Sequence, residues 1–134
     1  MTNRPDKRFA FSTLLDAMPD AIVIVDSDGK IVEANVHAVG MFGYKRDELV
    51  GQLVEVLMPE GYRGGHVADR DRYIRNPHVR PMGLGLNLVG LRKDGSEFSV
   101  EISLSPYQAP KGPLVVAAIR DVTARSRQLT TEDR

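Results

Sequence analysis

The sequence contains no cysteine. That excludes disulfides, thiolate metal sites, cysteine nucleophiles and light sensors built on a cysteinyl adduct, and it fits a reducing compartment. An excess of one charge is missing too: eighteen lysines and arginines balance eighteen aspartates and glutamates. Without a basic field, nucleic acid is not an expected partner. Long apolar runs are lacking as well. Residues 21–25 and 114–119 are strand-sized, whereas a membrane helix needs about 20 apolar residues. The N-terminal stretch is charged and carries no signal-peptide core. These absences point to a soluble, cytoplasmic protein without a membrane span. What remains is ordinary for one globular domain: 134 residues, 42% apolar and 27% charged.

Local patterns give the element order. Residues 6–18 predict an amphipathic helix, with Phe11, Leu14, Leu15 and Met18 at i, i+3, i+4, i+7 and Pro19 stopping the run. Ala21–Asp26 is short and β-branched, as a buried strand should be. The Asp28-Gly29 step then predicts a tight hairpin turn with positive φ angles into a strand over residues 30–33. Asn35 is an expected N-cap for a short helix that Gly43 ends. Residues 45–50 and 53–57 read as further helical turns, and a polar helix is expected from about His66 to Arg75. Alternation predicts a strand over 84–92, a second hairpin turn at Asp94-Gly95, a strand over 97–105 and a last strand over 114–122. One five-stranded antiparallel sheet with short helices on one face follows, an α+β plan.

Strand-rich ends pairing across a helical middle leave a hollow, and hollows of that kind hold ligands. Alternation aims Leu84, Leu86, Leu88, Ile102, Leu104, Val115, Ala117 and Ile119 into it, with Gly90 and Ala117 leaving space. Such an aliphatic lining selects a small apolar guest, for instance a fatty acid or other acyl chain, with a polar head at His66, Arg70 or Arg72. The alternative is a filled core and a pure interaction and dimerisation module. Glycines 64, 65, 83 and 85 match no phosphate-loop pattern, no histidine pair has metal-ligand spacing, and nothing marks a nucleophile. Enzymatic activity is not expected.

Residues 14–123 resemble the PAS family of sensory domains. The resemblance rests on Met18-Pro19-Asp20-Ala21-Ile22, Asp26-Ser27-Asp28-Gly29-Lys30-Ile31, Asn35 with Phe42-Gly43-Tyr44, Glu48-Leu49-Val50-Gly51, Arg92-Lys93-Asp94-Gly95-Ser96-Glu97-Phe98 and Arg120-Asp121-Val122-Thr123, in that order. It implies a flanking helix over residues 1–18, a sensor domain over 19–123 and a linker over 124–134. The linker would lead to a covalently attached effector such as a kinase or phosphatase, with Asp121, Val122 and Thr123 as the signalling exit. From Pro59 onward the chain is similar to the haem-binding PAS domains of oxygen-sensing histidine kinases. That likeness puts His66 at the place of the iron ligand, as a haem-based gas or redox sensor would require, and Leu86 where the subfamily has an oxygen-binding arginine. The PAS resemblance as a whole also implies that the flanking helix covers the open sheet face of its own or a neighbouring subunit. The stripe Phe11, Leu14, Leu15 and Met18 is therefore the expected homodimer surface.

Overall fold

The computed structural model describes residues 7–80 and 88–123, with residues 7–10 as backbone only. The first helix, α1, is Lys7–Ala17. Strands β1 (Ala21–Asp26) and β2 (Ile31–Ala34) follow, then helices α2 (Val36–Phe42) and α3 (Arg46–Leu49), a 3-10 turn at Val54–Leu57 and helix α4 (Glu60–Arg75). Strands β3 (Leu88–Leu91), β4 (Glu97–Ala109) and β5 (Gly112–Asp121) complete one antiparallel sheet in the order β2-β1-β5-β4-β3. The expected pairing of the two ends is present: Ala21 stands opposite Ile119 and Asp26 opposite Leu114.

Both hairpins differ from the expected tight turn in the same way. Gly29 N donates to Asp26 O at 3.0 Å and Asp26 N to Lys30 O at 2.9 Å; the second turn repeats this with Gly95, Arg92 and Ser96, at 2.9 Å for both bonds. Only the glycines are left-handed, at φ 82° and 90°, and no other residue type has positive φ among the described residues. One extra loop residue lets glycine alone carry the conformation that a β-carbon at Asp28 or Asp94 would resist. Helix α4 begins at Glu60, earlier than expected, because Gly61, Gly64 and Gly65 are accommodated inside it. Of the strand expected over 84–92, the described part is Leu88–Leu91; Leu84 and Leu86 lie outside the described residues. β4 runs past the expected Ser105 to Ala109, since β5 pairs with it through Pro106 and up to Gly112.

Asn35 joins the start of the fold together. Its Oδ1 accepts from Ala38 N at 3.0 Å, the expected cap, and also from Ile22 N at 2.8 Å. Its Nδ2 donates to Leu15 O at 2.7 Å and Asp20 O at 3.0 Å. One buried amide thus ties α1, β1 and α2 with every polar atom satisfied.

Each face of the sheet has its own core. On the inner face, Val23, Val115, Ala117 and Ile119 meet Phe42, Leu49, Leu57 and Phe98. On the outer face, Leu15 of α1 lies with Ile22 and Ile24, beside half-buried Leu114, Val116 and Ala118. The stripe of α1 is therefore split. Leu15 is buried in its own subunit, whereas Phe11, Leu14 and Met18 are 44%, 62% and 39% exposed.

Candidate functional site

Helix α4 walls the inner side of the domain, and it does so without a single buried residue. Half-buried Tyr73 and Ile74 pack on the core, and polar contacts add to their hold. His66 and Arg70 are one turn apart on the same face, and both reach Glu55 in the 3-10 turn. The Nδ1–H of His66 donates to Glu55 Oε2 at 2.6 Å, and Arg70 places Nε at 3.2 Å from Oε2 and Nη2 at 3.1 Å from Oε1. Arg70 also donates to Asp28 O at 2.5 Å, above Gly29, where any β-carbon would overlap the guanidinium. A further bond, from Arg63 Nε to Met58 O at 3.1 Å, fixes the first turn. Glu55 is only 4% exposed, so the contact is shielded from solvent.

This arrangement redistributes the three head-group candidates. His66 and Arg70 are brought together on Glu55, while Arg72 is not part of the group: it pairs with Asp69 at 2.7 Å in the exposed part of the helix. The role of Glu55 was missed in the sequence. The available signal was an acid inside the apolar run of residues 53–58, which must find cationic partners if that run is buried.

The inner face of the sheet is unevenly closed. Val23, Val115, Ala117 and Ile119 are buried beneath α2, α3 and the 3-10 turn. Toward the other edge, Leu88, Ile102 and Leu104 face the same way but are only half-buried, as are Val56, Tyr73 and Ile74 opposite. Six of the eight expected lining residues therefore share this face; Leu84 and Leu86 fall outside the described residues. The space assigned to Gly90 is not free. A β-carbon there would lie 2.9 Å from Phe98 and 3.3 Å from Phe42, whose rings meet at a centroid distance of 5.4 Å. The glycine makes room for that ring pair, which fills the interior at this point.

At the end of β5, Asp121 Oδ2 receives Arg92 Nη2 at 3.2 Å and Asp121 Oδ1 accepts from Thr123 N at 2.9 Å. Thr123 Oγ1 in turn accepts from Ser99 N at 3.1 Å, and Val122 N donates to Ser99 O at 2.9 Å. Arg92 reaches inward as well, to Met41 O at 3.1 Å, and its guanidinium lies 3.9 Å from the Phe98 ring centre. The exit residues are thus one contact removed from the aromatic pair in the core. An open depression of about 560 Å³ adjoins them, between the start of β1, His37 and Met41 of α2, and residues 119–122.

Among the described residues, no group of three or more histidines and acids is placed to hold a metal ion, and no helix is long and apolar enough to cross a membrane. The architecture defines the class: a single-sheet α+β domain whose helical middle covers one face and whose two ends pair centrally. The sequence model of the PAS domain family matches residues 19–124, and the chain belongs to that family of signal-transduction sensor modules. The sensor protein FixL of Bradyrhizobium diazoefficiens is 32% identical over 128 residues, covering 90% of this chain and 25% of FixL. The oxygen sensor protein DosP of Escherichia coli is 29% identical over 122 residues, 88% of this chain and 15% of DosP. The cell-division control histidine kinase PdhS of Brucella ovis is 40% identical over 115 residues, 86% of this chain and 11% of the kinase. The chain thus spans a quarter or less of these curated relatives. The crystal structure of a PAS domain from Colwellia psychrerythraea superposes with a TM-score of 0.71 at 23% identity, over 89% of this chain and 99% of that one, a likeness of fold.

Proposed function

We propose that this chain is the input module of a longer signalling protein and senses a small apolar molecule held between the inner face of β3–β5 and α4. The observation that carries the reading is the half-buried aliphatic group Leu88, Ile102 and Leu104, facing a helix that contributes no buried residue. Apolar surface on the inside of a domain is stabilised when something covers it, at roughly 25 cal/mol per Å². A guest burying on the order of 300 Å² gains about 7 kcal/mol before its lost freedom is counted, which corresponds to binding no tighter than micromolar. The flanking helix, the sensor core and the linker occupy residues 1–18, 19–123 and 124–134, and Asp121, Val122 and Thr123 pass the state of the core to an effector attached beyond Arg134. Phe11, Leu14 and Met18 serve a homodimer, and the domain itself performs no catalysis. Native mass spectrometry of gently purified protein, set against the denatured mass, reads a bound guest directly.

A second reading, haem ligated by His66, is favoured by one specific contact. Because Nδ1–H donates to the Glu55 carboxylate, the neutral ring keeps its lone pair on Nε2, the tautomer a metal ligand requires. His66 is the residue that would hold haem iron, through Nε2, and the group would supply reversible gas or redox chemistry there. The apolar guest is preferred because Leu86 stands where the oxygen-sensing subfamily has its arginine. Haemin titration separates the two: a one-to-one Soret band lost in His66→Ala establishes haem, and its absence removes it.

A further inference from the structure

Five residues stand in one row across the sheet. Ala34 pairs with Val23, Val23 with Ala117, Ala117 with Leu104, and Leu104 with Arg80. Residues directly opposite one another in antiparallel strands point to the same face, so the Arg80 side chain stands on the inner face with four apolar neighbours. The row opens toward its edge: Ala34, Val23 and Ala117 are buried, Leu104 and Arg80 half-buried. The backbone of Arg80 is fixed independently of its side chain, donating to Leu104 O at 2.8 Å and accepting from Leu104 N at 2.9 Å.

Among the described residues the other half-buried arginines are committed. Arg63 donates to Met58 O, Arg70 to Glu55 and Asp28, and Arg92 to Met41, Ser96 and Asp121. No carboxylate among the described residues pairs with Arg80. Its neighbour at the open end is Tyr73. Burial pushes that phenol up, while the bond to the His78 carbonyl and the nearby Arg80 charge pull it back. The Tyr73 hydroxyl donates to His78 O, and among the described residues no hydrogen bond joins its oxygen to the guanidinium. A half-withdrawn guanidinium without an anion is unfavourable beside an aliphatic surface, and its planar fork suits a carboxylate best.

We propose that Arg80 receives the anionic head of an amphiphile whose chain lies along Leu104, Ile102 and Leu88, which makes long-chain carboxylates the ligand class. The inference rests on the apolar-guest reading and replaces His66, Arg70 and Arg72 as the head-group site, since those side chains are engaged elsewhere. Calorimetric titration of delipidated protein with decanoate and with decanol tests it. Wild type binds decanoate about tenfold more tightly than decanol. Arg80→Gln weakens decanoate to the level of decanol and leaves decanol and the unfolding temperature unchanged, and Arg80→Lys falls between. Equal affinities in wild type, or a decanoate preference that survives in Arg80→Gln, overturn the Arg80 assignment and leave the apolar site standing. Binding of neither compound by wild type overturns both.

Discussion

Glu55 Oε2 and His66 Nδ1 lie 2.6 Å apart, and this contact, shared with Arg70, is the buried polar anchor of a helix that otherwise rests on half-buried Tyr73 and Ile74 and on the Arg63 and Arg70 bonds to backbone carbonyls. Helix α4 is a wall of the proposed ligand space, so its attachment governs the site.

Glu55→Ala leaves the Arg70 guanidinium without its buried carboxylate and the His66 ring without its acceptor, and it should cost about 2–4 kcal/mol of folding stability. Urea denaturation measures the loss, and hydrogen exchange should quicken in α4 before it does in β5. A change under about 0.5 kcal/mol would mean that the contact does not hold the helix.

Gly90→Ala places a β-carbon against both rings of the Phe42–Phe98 pair. Forcing a methyl into a filled interior costs about 1–3 kcal/mol. Phe98→Leu in the same chain removes the obstacle and should recover part of the loss. A neutral Gly90→Ala would show that the rings have room to shift.

Element types and order were legible because each rests on local chemistry. Asn35 and Gly43 mark their helix ends, two Asp-Gly steps mark the hairpins, and the alternation of residues 97–105 marks a strand. The family was legible for the same reason, since its short motifs are those local signals in a fixed order. The candidate site was readable only in part. Pleat alternation put Leu88, Ile102, Leu104, Val115, Ala117 and Ile119 on one face, but contacts between residues distant in sequence decided the polar groups. Asn35 reads as a cap, and nothing local announces its bonds to Leu15, Asp20 and Ile22. Likewise, Arg70 and Arg80 look equivalent in sequence until Glu55 is seen to take one of them.

Asp121→Ala should separate signalling from stability. The pair with Arg92 is about one-third exposed on each side, so its loss costs less than about 1 kcal/mol. In the full-length protein the variant should retain ligand and lose regulated output. Wild-type regulation, or an unfolded domain, would contradict a transmitting role for this residue.

The flanking helix makes a separable prediction, because Leu15 faces its own sheet while Phe11 and Leu14 face solvent. Leu14→Glu should lower the mass seen by light scattering from dimer to monomer and keep the melting temperature. Deleting residues 1–18 uncovers Ile22 and Ile24 and should cause aggregation. A monomer of unchanged mass in wild type and both variants would rule out this dimer surface.

The central claim, a guest on the inner face, is tested most directly by native mass spectrometry of wild type and Leu104→Trp. Leu104 is half-buried, so a larger side chain there occupies the open end without invading the buried row at Ala117. Wild type should carry, or take up from a fatty-acid mixture, one molecule that denaturation releases. Leu104→Trp should carry none and unfold at the same temperature or slightly higher. A wild-type protein that carries nothing and takes up nothing, with Leu104→Trp destabilised by about 1–3 kcal/mol, would show that the interior is already full.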